Sequence, residues 1–453
     1  MNVHFIAIGG SAMHNLAIAL HEKGEVVTGS DDEIFEPSKS RLNDHELLPK
    51  EMGWNVENIH ANLDAIVLGM HAREDNPELL KAKELGITIY SYPEFLYEQA
   101  KDKKRVVIGG SHGKTSITAM ILHVLHHHNI DCDYMVGAQL QGFDTMVRLT
   151  DAAPIAIFEG DEYLSSPIDR RPKFHLYQAD IALISGIAWD HINVFPTFEN
   201  YLDQFRIFAQ QIPEGGALIY CDLDENVLDI CQHSDVQAAL YAYGLPAHEI
   251  VDGQTFLKVE KGEAIPLDVF GDHNLANMEG ARMVCQLLGI ESKQFREAIT
   301  SFKGASNRME LVHRSENLVM YKDFAHSPSK VTATTKAVRQ QYPEHNFIAC
   351  LELHTFSSLN EEFLLEYKGA MEAADVAMVY YNPHTIEHKK LKAITEQQVK
   401  EAFGRENLST LTESDKVVLF LKEQELDNAV ILMMSSGNFD GIEHISLFND
   451  LDA

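Results

Sequence analysis

The chain is short of cysteine, of basic residues and of long apolar runs, and each shortage closes off a class of protein. Five cysteines stand in 453 residues, Cys132, Cys221, Cys231, Cys285 and Cys350. No two form a C-x-x-C pair, so the sequence offers neither a disulfide framework nor a thiolate zinc site, and the five read as reduced core thiols. Lys and Arg number 37 against 68 Asp and Glu, a formal charge of −31. A surface this acidic repels nucleic-acid phosphate and anionic lipid, which argues against both as partners. It leaves open a phosphate held locally by backbone N–H groups and one lysine. No apolar run approaches the roughly 18 residues of a membrane-spanning helix. The opening Met1-Asn2-Val3-His4-Phe5-Ile6 runs into a strand pattern without a basic stretch or cleavage site. No signal peptide is expected, and the expected setting is the cytoplasm.

At roughly 150 residues per domain, a chain of this length makes about three domains. Residues 1–103 alternate strand and helix: strands at Val3–Ile8, Glu25–Thr28, Ala65–Leu68 and Thr88–Tyr90, with a helix over Ala12–His21. The charged stretch Lys101-Asp102-Lys103-Lys104-Arg105 marks a boundary. Residues 104–306 open with the strand Val106–Gly109, a glycine loop and a helix over Lys114–His127. Strand-like runs recur at Ile155–Phe158, Ile181–Ile184 and Ala217–Tyr220. Residues 240–270, broken by Gly and Pro, suit a small antiparallel excursion before a helix over Asn274–Leu288. Residues 307–453 carry strand-like runs at Val319–Tyr321, Phe347–Leu351, Val376–Tyr380, Val417–Leu421 and Val430–Met434. The expected fold class is α/β with parallel sheets and crossover helices, and a Rossmann-like layout at each end. His126-His127-His128 suits a helix C-terminus, where imidazolium meets the dipole, better than a metal site.

The strongest chemical signal is Gly109-Gly110-Ser111-His112-Gly113-Lys114-Thr115-Ser116, between a buried strand and a helix. Glycines let backbone N–H groups approach a phosphate, and the helix N-terminus adds partial positive charge. Lys114 can reach outer phosphates, and the Thr115 hydroxyl can ligate Mg²⁺. Ile108 stands where the full Walker pattern has its first glycine, so the loop is a shorter G-x-x-G-K-[ST] form. At the N-terminus, Gly9-Gly10-Ser11 ends a strand and opens a helix, and Ser30-Asp31 follows a second strand. That is the layout of a dinucleotide fold, although a plain strand–helix turn reads the same way.

Further marks follow in order: Glu159-Gly160-Asp161-Glu162-Tyr163, Trp189-Asp190-His191, Gly271-Asp272-His273-Asn274-Leu275-Ala276-Asn277, Asn307-Arg308-Met309-Glu310 and Tyr321-Lys322-Asp323-Phe324-Ala325-His326. Taken alone, Glu159 reads as a strand-end acid, His191 as a loop histidine, and Asn274 with Asn277 as a capping cluster. Together with the glycine loop they resemble the signatures of the Mur ligase family, in family order and over nearly the whole chain. The resemblance implies an ATP-dependent ligase that joins a carboxylate to an amine through an acyl phosphate. It implies a UDP-sugar-binding domain over 1–103, a central ATP-binding domain over 104–306 and a C-terminal ligase domain over 307–453. ATP would be a co-substrate held by Gly110 to Ser116, Asn274, Asn277, Arg308 and Asp323. Two Mg²⁺ ions would be held by Thr115, Glu159 and His191. Lys114, Glu159, His191 and Arg308 would form the catalytic set. The UDP-sugar and the amine would meet Gly10, Ser11, Ser30, Asp31, His71, Arg171 and His326, although a solvated loop suits Arg170 and Arg171 equally.

Several Mur ligases carry a lysine after the D-H histidine that becomes carbamylated; here Arg206 occupies that spacing. This resembles the branch acting on UDP-N-acetylmuramic acid, whose members add L-alanine or a preformed L-Ala-γ-D-Glu-meso-diaminopimelate tripeptide. Phe324-Ala325-His326, Asp169-Arg170-Arg171-Pro172-Lys173-Phe174, Leu351-Glu352-Leu353 and Met433–Gly441 resemble the tripeptide-adding members. Departures from the family occur at Ser185-Gly186, Asn193, Lys322 and His354. Folylpolyglutamate-type ligases share the loop and the D-H mark but lack a Gly9-Gly10 domain. A dehydrogenase-like binder would use the N-terminal fold alone.

Overall fold

The protein is described by a computed structural model covering residues 1–140, 142–143, 145–259, 262, 264–305 and 308–452. Asn307 lies outside the described residues. Two compact units are present. The first comprises Met1–Ile187, Pro196–Tyr243 and Gly280–Gly289; the second comprises Ala188–Phe195, Gly244–Glu279 and the chain from Ile290 onward. The boundary expected near residue 103 therefore separates two sheets of one unit.

The first sheet contains β1 (Asn2–Ile6), β2 (Val26–Ser30), β3 (Ala65–Leu68) and β4 (Ile89–Ser91), all parallel in the order β2-β1-β3-β4. Val3, Phe5 and Ile6 are fully buried, as are Leu16 and Leu20 of the helix Ser11–Glu22 that follows β1. The second sheet contains β5 (Lys104–Gly109), β6 (Asp133–Met135), β7 (Val147–Arg148), β8 (Ile155–Glu159), β9 (Ile181–Ile184), β10 (Ala217–Cys221) and β11 (Ala239–Tyr243). Its order is β11-β10-β9-β5-β8-β6-β7, parallel except for β7. Strand order reverses beside β5, with β8 and β6 on one side and β9 to β11 on the other. In open parallel sheets such a switch point opens the crevice where ligands bind. The register pairs Ile108 with Glu159 and Gly109 with Ile184, so the glycine loop, Glu159 and Ser185 emerge together at that edge.

The second unit contains an antiparallel sheet of β12 (His248–Val251), β13 (Gln254–Lys258) and β14 (Ala264–Leu267). Its larger sheet contains β15 (Glu310–Arg314), β16 (Leu318–Asp323), β17 (Asn346–Glu352), β18 (Val376–Tyr380), β19 (Ser409–Leu411) and β20 (Ala429–Met434). The order is β15-β16-β20-β17-β18-β19, with β15 alone antiparallel. Phe347, Ala349 and Leu351 enter one apolar cluster and Ile348 and Cys350 another. Both faces of β17 are thus covered, which is why its apolar run is continuous rather than alternating.

Two expectations are corrected. Val417–Leu421 is not a strand but part of the helix Ser414–Lys422. Val417 and Leu421 are fully buried one turn apart while Leu419 is 59% exposed, the spacing of one helical face. Residues 240–243, placed within the antiparallel excursion, instead belong to β11, a parallel edge strand beside β10. The expected helix Lys114–His127 is present with those bounds, and His126 and His127 occupy its last turn. All five cysteines are buried and free.

Gly271, with φ +86, turns the chain into the helix Asp272–Leu287, and a Cβ added there would lie 2.4 Å from Ala337 Cβ. Gly271→Ala is expected to lose about 1–3 kcal/mol of stability, combining left-handed strain with an overpacked contact. Chemical denaturation measures this, and an unchanged midpoint would contradict the packing described.

Candidate active site

Strand β5 is buried from Val106 onward and delivers the chain into the loop. Gly110 adopts φ +134 and Gly113 φ +79, conformations that favour glycine. Segment 185–186 clasps the loop from the end of β9. Ser111 N–H donates to the Gly186 carbonyl at 2.9 Å, and Ser185 Oγ donates to the Gly109 carbonyl at 3.2 Å and to the His112 carbonyl. A Cβ on Gly110 would lie 2.1 Å from Ser185 Oγ, and one on Gly186 2.3 Å from the His112 ring. The departure from the family at Ser185-Gly186 thus has a local use, since the hydroxyl ties the loop and the glycine admits His112. Gly113 caps the helix Lys114–His127 and has no side chain to occupy the first-turn amides.

Lys114 Nζ donates to the Gly110 carbonyl at 2.6 Å and forms a close ion pair with Glu162, which is 1% exposed. Burial alone would lower the Lys114 pKa; the charges of Glu162 and Asp161 more than offset it and hold the ammonium above the ordinary lysine value. Thr115 Oγ1 donates to Glu159 Oε1 at 2.9 Å, and Gly137 N–H donates to Glu159 Oε2 at 2.8 Å. Glu159 and Thr115 thereby place two hard oxygens side by side, one of them charged, which fits a hard divalent cation. Ser116 is buried in the first helical turn. Asp161 pairs with Lys173 at 2.6 Å. Of the expected set, the structure brings Lys114, Thr115 and Glu159 together. Glu162, Tyr201, Gly137 and Ser185 complete the arrangement; in sequence Glu162 stood only within the quoted Glu159–Tyr163 mark and Ser185 only as a departure from the family pattern. Tyr201 and Gly137 were not singled out, and no local pattern marks them.

In the N-terminal sheet, Gly10 caps its helix without a side-chain bond and Ser11 is exposed at its start. Asp31 Oδ2 accepts the Gly9 N–H at 2.7 Å and so fixes the turn. Burial raises the Asp31 pKa, against the Gly9 bond, which lowers it. Ser30 is 2% exposed and its hydroxyl donates to the buried Glu78, so it serves the interior. His71 is exposed. Arg171 is exposed, with its guanidinium on Asp169 and on Glu94 at 3.3 Å.

In the second unit, Asp323 accepts the Met309 N–H at 2.6 Å and the Ala325 N–H at 2.7 Å. The Arg308 guanidinium lies over the Phe324 ring at 4.4 Å. His326 Nδ1 lies 2.7 Å from the Phe324 carbonyl, and burial together with the Lys330 charge pushes its pKa down to about 3. Arg308, Asp323 and His326 thus gather at the carboxyl end of β16. Asn274 and Asn277 are buried on the helix Asp272–Leu287, and Asn274 Nδ2 donates to the Phe270 carbonyl at 3.1 Å. His191 belongs to this unit and adopts φ +55, a strained conformation of the kind that gathers at functional sites. Its N–H donates to Asp190 Oδ1 at 2.7 Å. Burial raises the Asp190 pKa, but the His191 and Lys330 charges outweigh it and hold the carboxyl below its ordinary value.

Comparison with known proteins shows the family to which the chain is similar. The family model described as Mur ligase middle domain matches residues 108–285, and that described as Mur ligase family, catalytic domain, matches residues 2–104. The chain is 30% identical to the UDP-N-acetylmuramate–L-alanine ligase of Clostridium kluyveri over 454 residues, 96% of this chain and 95% of that protein. It is 29% identical to the corresponding ligase of Streptococcus gordonii, over 97% and 96%. Among solved structures it resembles a murein peptide ligase from Psychrobacter arcticus (21% identity, TM-score 0.67, 100% of this chain and 98% of that one). It also resembles the UDP-N-acetylmuramate–alanine ligase of Thermotoga maritima (18% identity, TM-score 0.71, 100% and 98%). At those identities the structures bear on the fold alone. No helix among the described residues is long and apolar enough to cross a membrane.

His175, whose Nε2 lies 2.7 Å from the Gln204 carbonyl, has its pKa lowered by burial from 6.5 to about 4. Between those values the unfolded chain binds a proton that the native chain does not. The contribution of His175 to stability is therefore full above about pH 6.5 and falls as pH drops toward 4. His175→Gln is expected to lose less thermal stability than the parent between pH 7 and pH 5. Equal losses in the two proteins would show that His175 does not carry this linkage.

Proposed function

The chain belongs to the Mur ligase family, and from that membership we propose that it joins the lactyl carboxylate of UDP-N-acetylmuramate to the amine of L-Ala-γ-D-Glu-meso-diaminopimelate. Members of this family are ATP-dependent, ADP-forming amide ligases that use Mg²⁺. The observation that carries the ATP chemistry is the glycine loop itself: Lys114 and Thr115 at the sheet's switch point, with Thr115 bonded to Glu159.

In the proposed reaction the β- and γ-phosphates lie on the loop amides and Lys114, and the lactyl carboxylate attacks the γ-phosphate to give an acyl phosphate and ADP. The amine then attacks the acyl carbon, phosphate leaves and the amide forms after loss of a proton. Lys114 and the loop N–H groups stabilise the charge on the transferring phosphoryl group. Thr115 would ligate one Mg²⁺, and Glu159 with His191 would hold a second. The metal would neutralise charge between the two anions that must meet. Arg308 would reach the γ-phosphate, Asp323 the ribose, and Asn274 and Asn277 the adenine. Gly10, Ser11, Asp31 and His71 would line the UDP-sugar site. Residues 1–103, 104–306 and 307–453 would act as the sugar, nucleotide and ligase domains.

For the UDP-N-acetylmuramate branch, support comes from Arg206, whose guanidinium bonds Glu199 and Asp203 where other members need a carbamylated lysine. For the tripeptide, support comes from Phe324-Ala325-His326, the segment Asp169–Phe174 and Glu352. A second reading, addition of L-alanine, is favoured by the names of the full-length relatives.

Phosphate release measured with MgATP and UDP-N-acetylmuramate is expected to depend on the tripeptide and to be far slower with L-alanine. Faster release with L-alanine would select the second reading. Lys114→Ala is expected to cut turnover by about a hundredfold or more while leaving UDP-sugar binding intact. Retained ATP-dependent phosphate release in that variant would contradict the placement of the γ-phosphate.

A further inference from the structure

Lys114 already has a carboxylate partner. Its Nζ sits between the Gly110 carbonyl and Glu162 Oε2. Glu162 Oε1 accepts the Tyr201 hydroxyl at 3.0 Å, and the same hydroxyl lies 2.7 Å from Ser111 Oγ. Tyr201 is fully buried and Glu162 is 1% exposed, so both bonds lie away from water. One phenol, on the helix Phe198–Gln210, therefore touches the loop and the partner of the loop's lysine. Neither residue is needed to explain the fold of the loop, which Ser185 and Gly186 already clasp.

We propose that Glu162 and Tyr201 are positioning residues that set nucleotide affinity: Glu162 holds the Lys114 ammonium in competition with the phosphates, and Tyr201, by donating to Glu162, weakens that hold. The proposal rests on the loop being the ATP site. A carboxylate whose charge is shared with a hydroxyl donor is a weaker partner for an ammonium than one without it. Phosphate oxygens arriving at the loop must draw Lys114 away from Glu162 or share it. Glu162→Gln keeps the shape and the acceptor oxygen but removes the competing charge, so nucleotide binds more tightly. Tyr201→Phe keeps the ring and removes the donor, so Glu162 grips Lys114 harder and nucleotide binds more weakly. A role limited to packing predicts loss of affinity in both.

The test is calorimetric titration of the full chain with MgATP, without UDP-sugar or amine, paired with KM for ATP and kcat in the complete reaction. Glu162→Gln is expected to tighten binding about tenfold and Tyr201→Phe to weaken it about threefold, within the range of one charge-assisted hydrogen bond each. Tyr201→Phe should raise KM for ATP with kcat retained, because the effect ends once the phosphates hold Lys114. The double variant should bind like Glu162→Gln alone, because Tyr201 acts through Glu162. Weakened binding in both single variants, or additive effects in the double, overturns the proposal. Should Glu162→Gln fail to fold, Tyr201→Phe decides alone: unchanged or tighter binding overturns it. Lys114→Ala serves as the separate control, since unchanged MgATP affinity there refutes the loop as the ATP site rather than the roles of Glu162 and Tyr201.

Discussion

Negative charge crowded at one sheet edge is the constraint on which the first unit's architecture depends. Glu159, Asp161 and Glu162 stand within four residues; Lys114 pairs with Glu162 and Lys173 with Asp161. Burying such a cluster costs free energy unless each carboxylate is paired or hydrogen-bonded. The structure meets that requirement with backbone and side chain together: Gly137 N–H and Thr115 on Glu159, Lys173 on Asp161, Lys114 and Tyr201 on Glu162. A triphosphate brought to this edge adds further negative charge to a site with no surplus in these pairs. Phosphoryl transfer between two anions there would need added positive charge, which the Mg²⁺ that the family uses would supply.

That arrangement explains which parts of the molecule could be read from sequence. The helix Lys114–His127 was legible to the residue because a glycine pair, a buried strand and an apolar period all change at the same point. β18 was equally legible, as a short apolar run bounded by polar turns. Val417–Leu421 misled because five consecutive apolar residues have no visible period. Only the exposure of Leu419 shows that the face repeats as in a helix. The edge strand β11 was misassigned because its partner β10 lies outside the Gly- and Pro-broken stretch that set the expectation.

Legibility of the site divides along the same physical line. Residues whose chemistry is local to a motif, such as Lys114, Thr115 and Glu159, are found together. Residues that act by reaching across the fold carry no local mark. Tyr201 lies 90 positions from Ser111, and its burial comes from the helix it occupies. Conversely, Ser30 was expected at a ligand but turns inward to Glu78, because a hydroxyl at the end of a buried strand is drawn to the nearest buried carboxylate. Asp31 and Arg171 are similarly engaged, the one with Gly9 and the other with Asp169. A ligand contact by either would have to be shared with these bonds.

The net charge of −31 sharpens the role of the two glycine turns. ATP and a UDP-sugar are both polyanions, and the long-range field of this surface opposes their approach. Attraction must therefore come from groups effective only at contact. Backbone N–H groups at a helix start are such groups, and they serve only if nothing else occupies them. Both the helix after β1 and the helix after β5 begin at a glycine cap with no side-chain bond. The helix Tyr92–Ala100, by contrast, starts at Ser91 with a reciprocal Ser–Glu cap. A serine or aspartate cap on the helix after β1 would add roughly a few tenths of a kcal/mol over glycine, and would fill a position where a phosphate could bind. Amides without a side-chain cap at these two turns would offer a polyanion contact attraction in a protein whose overall charge opposes its approach.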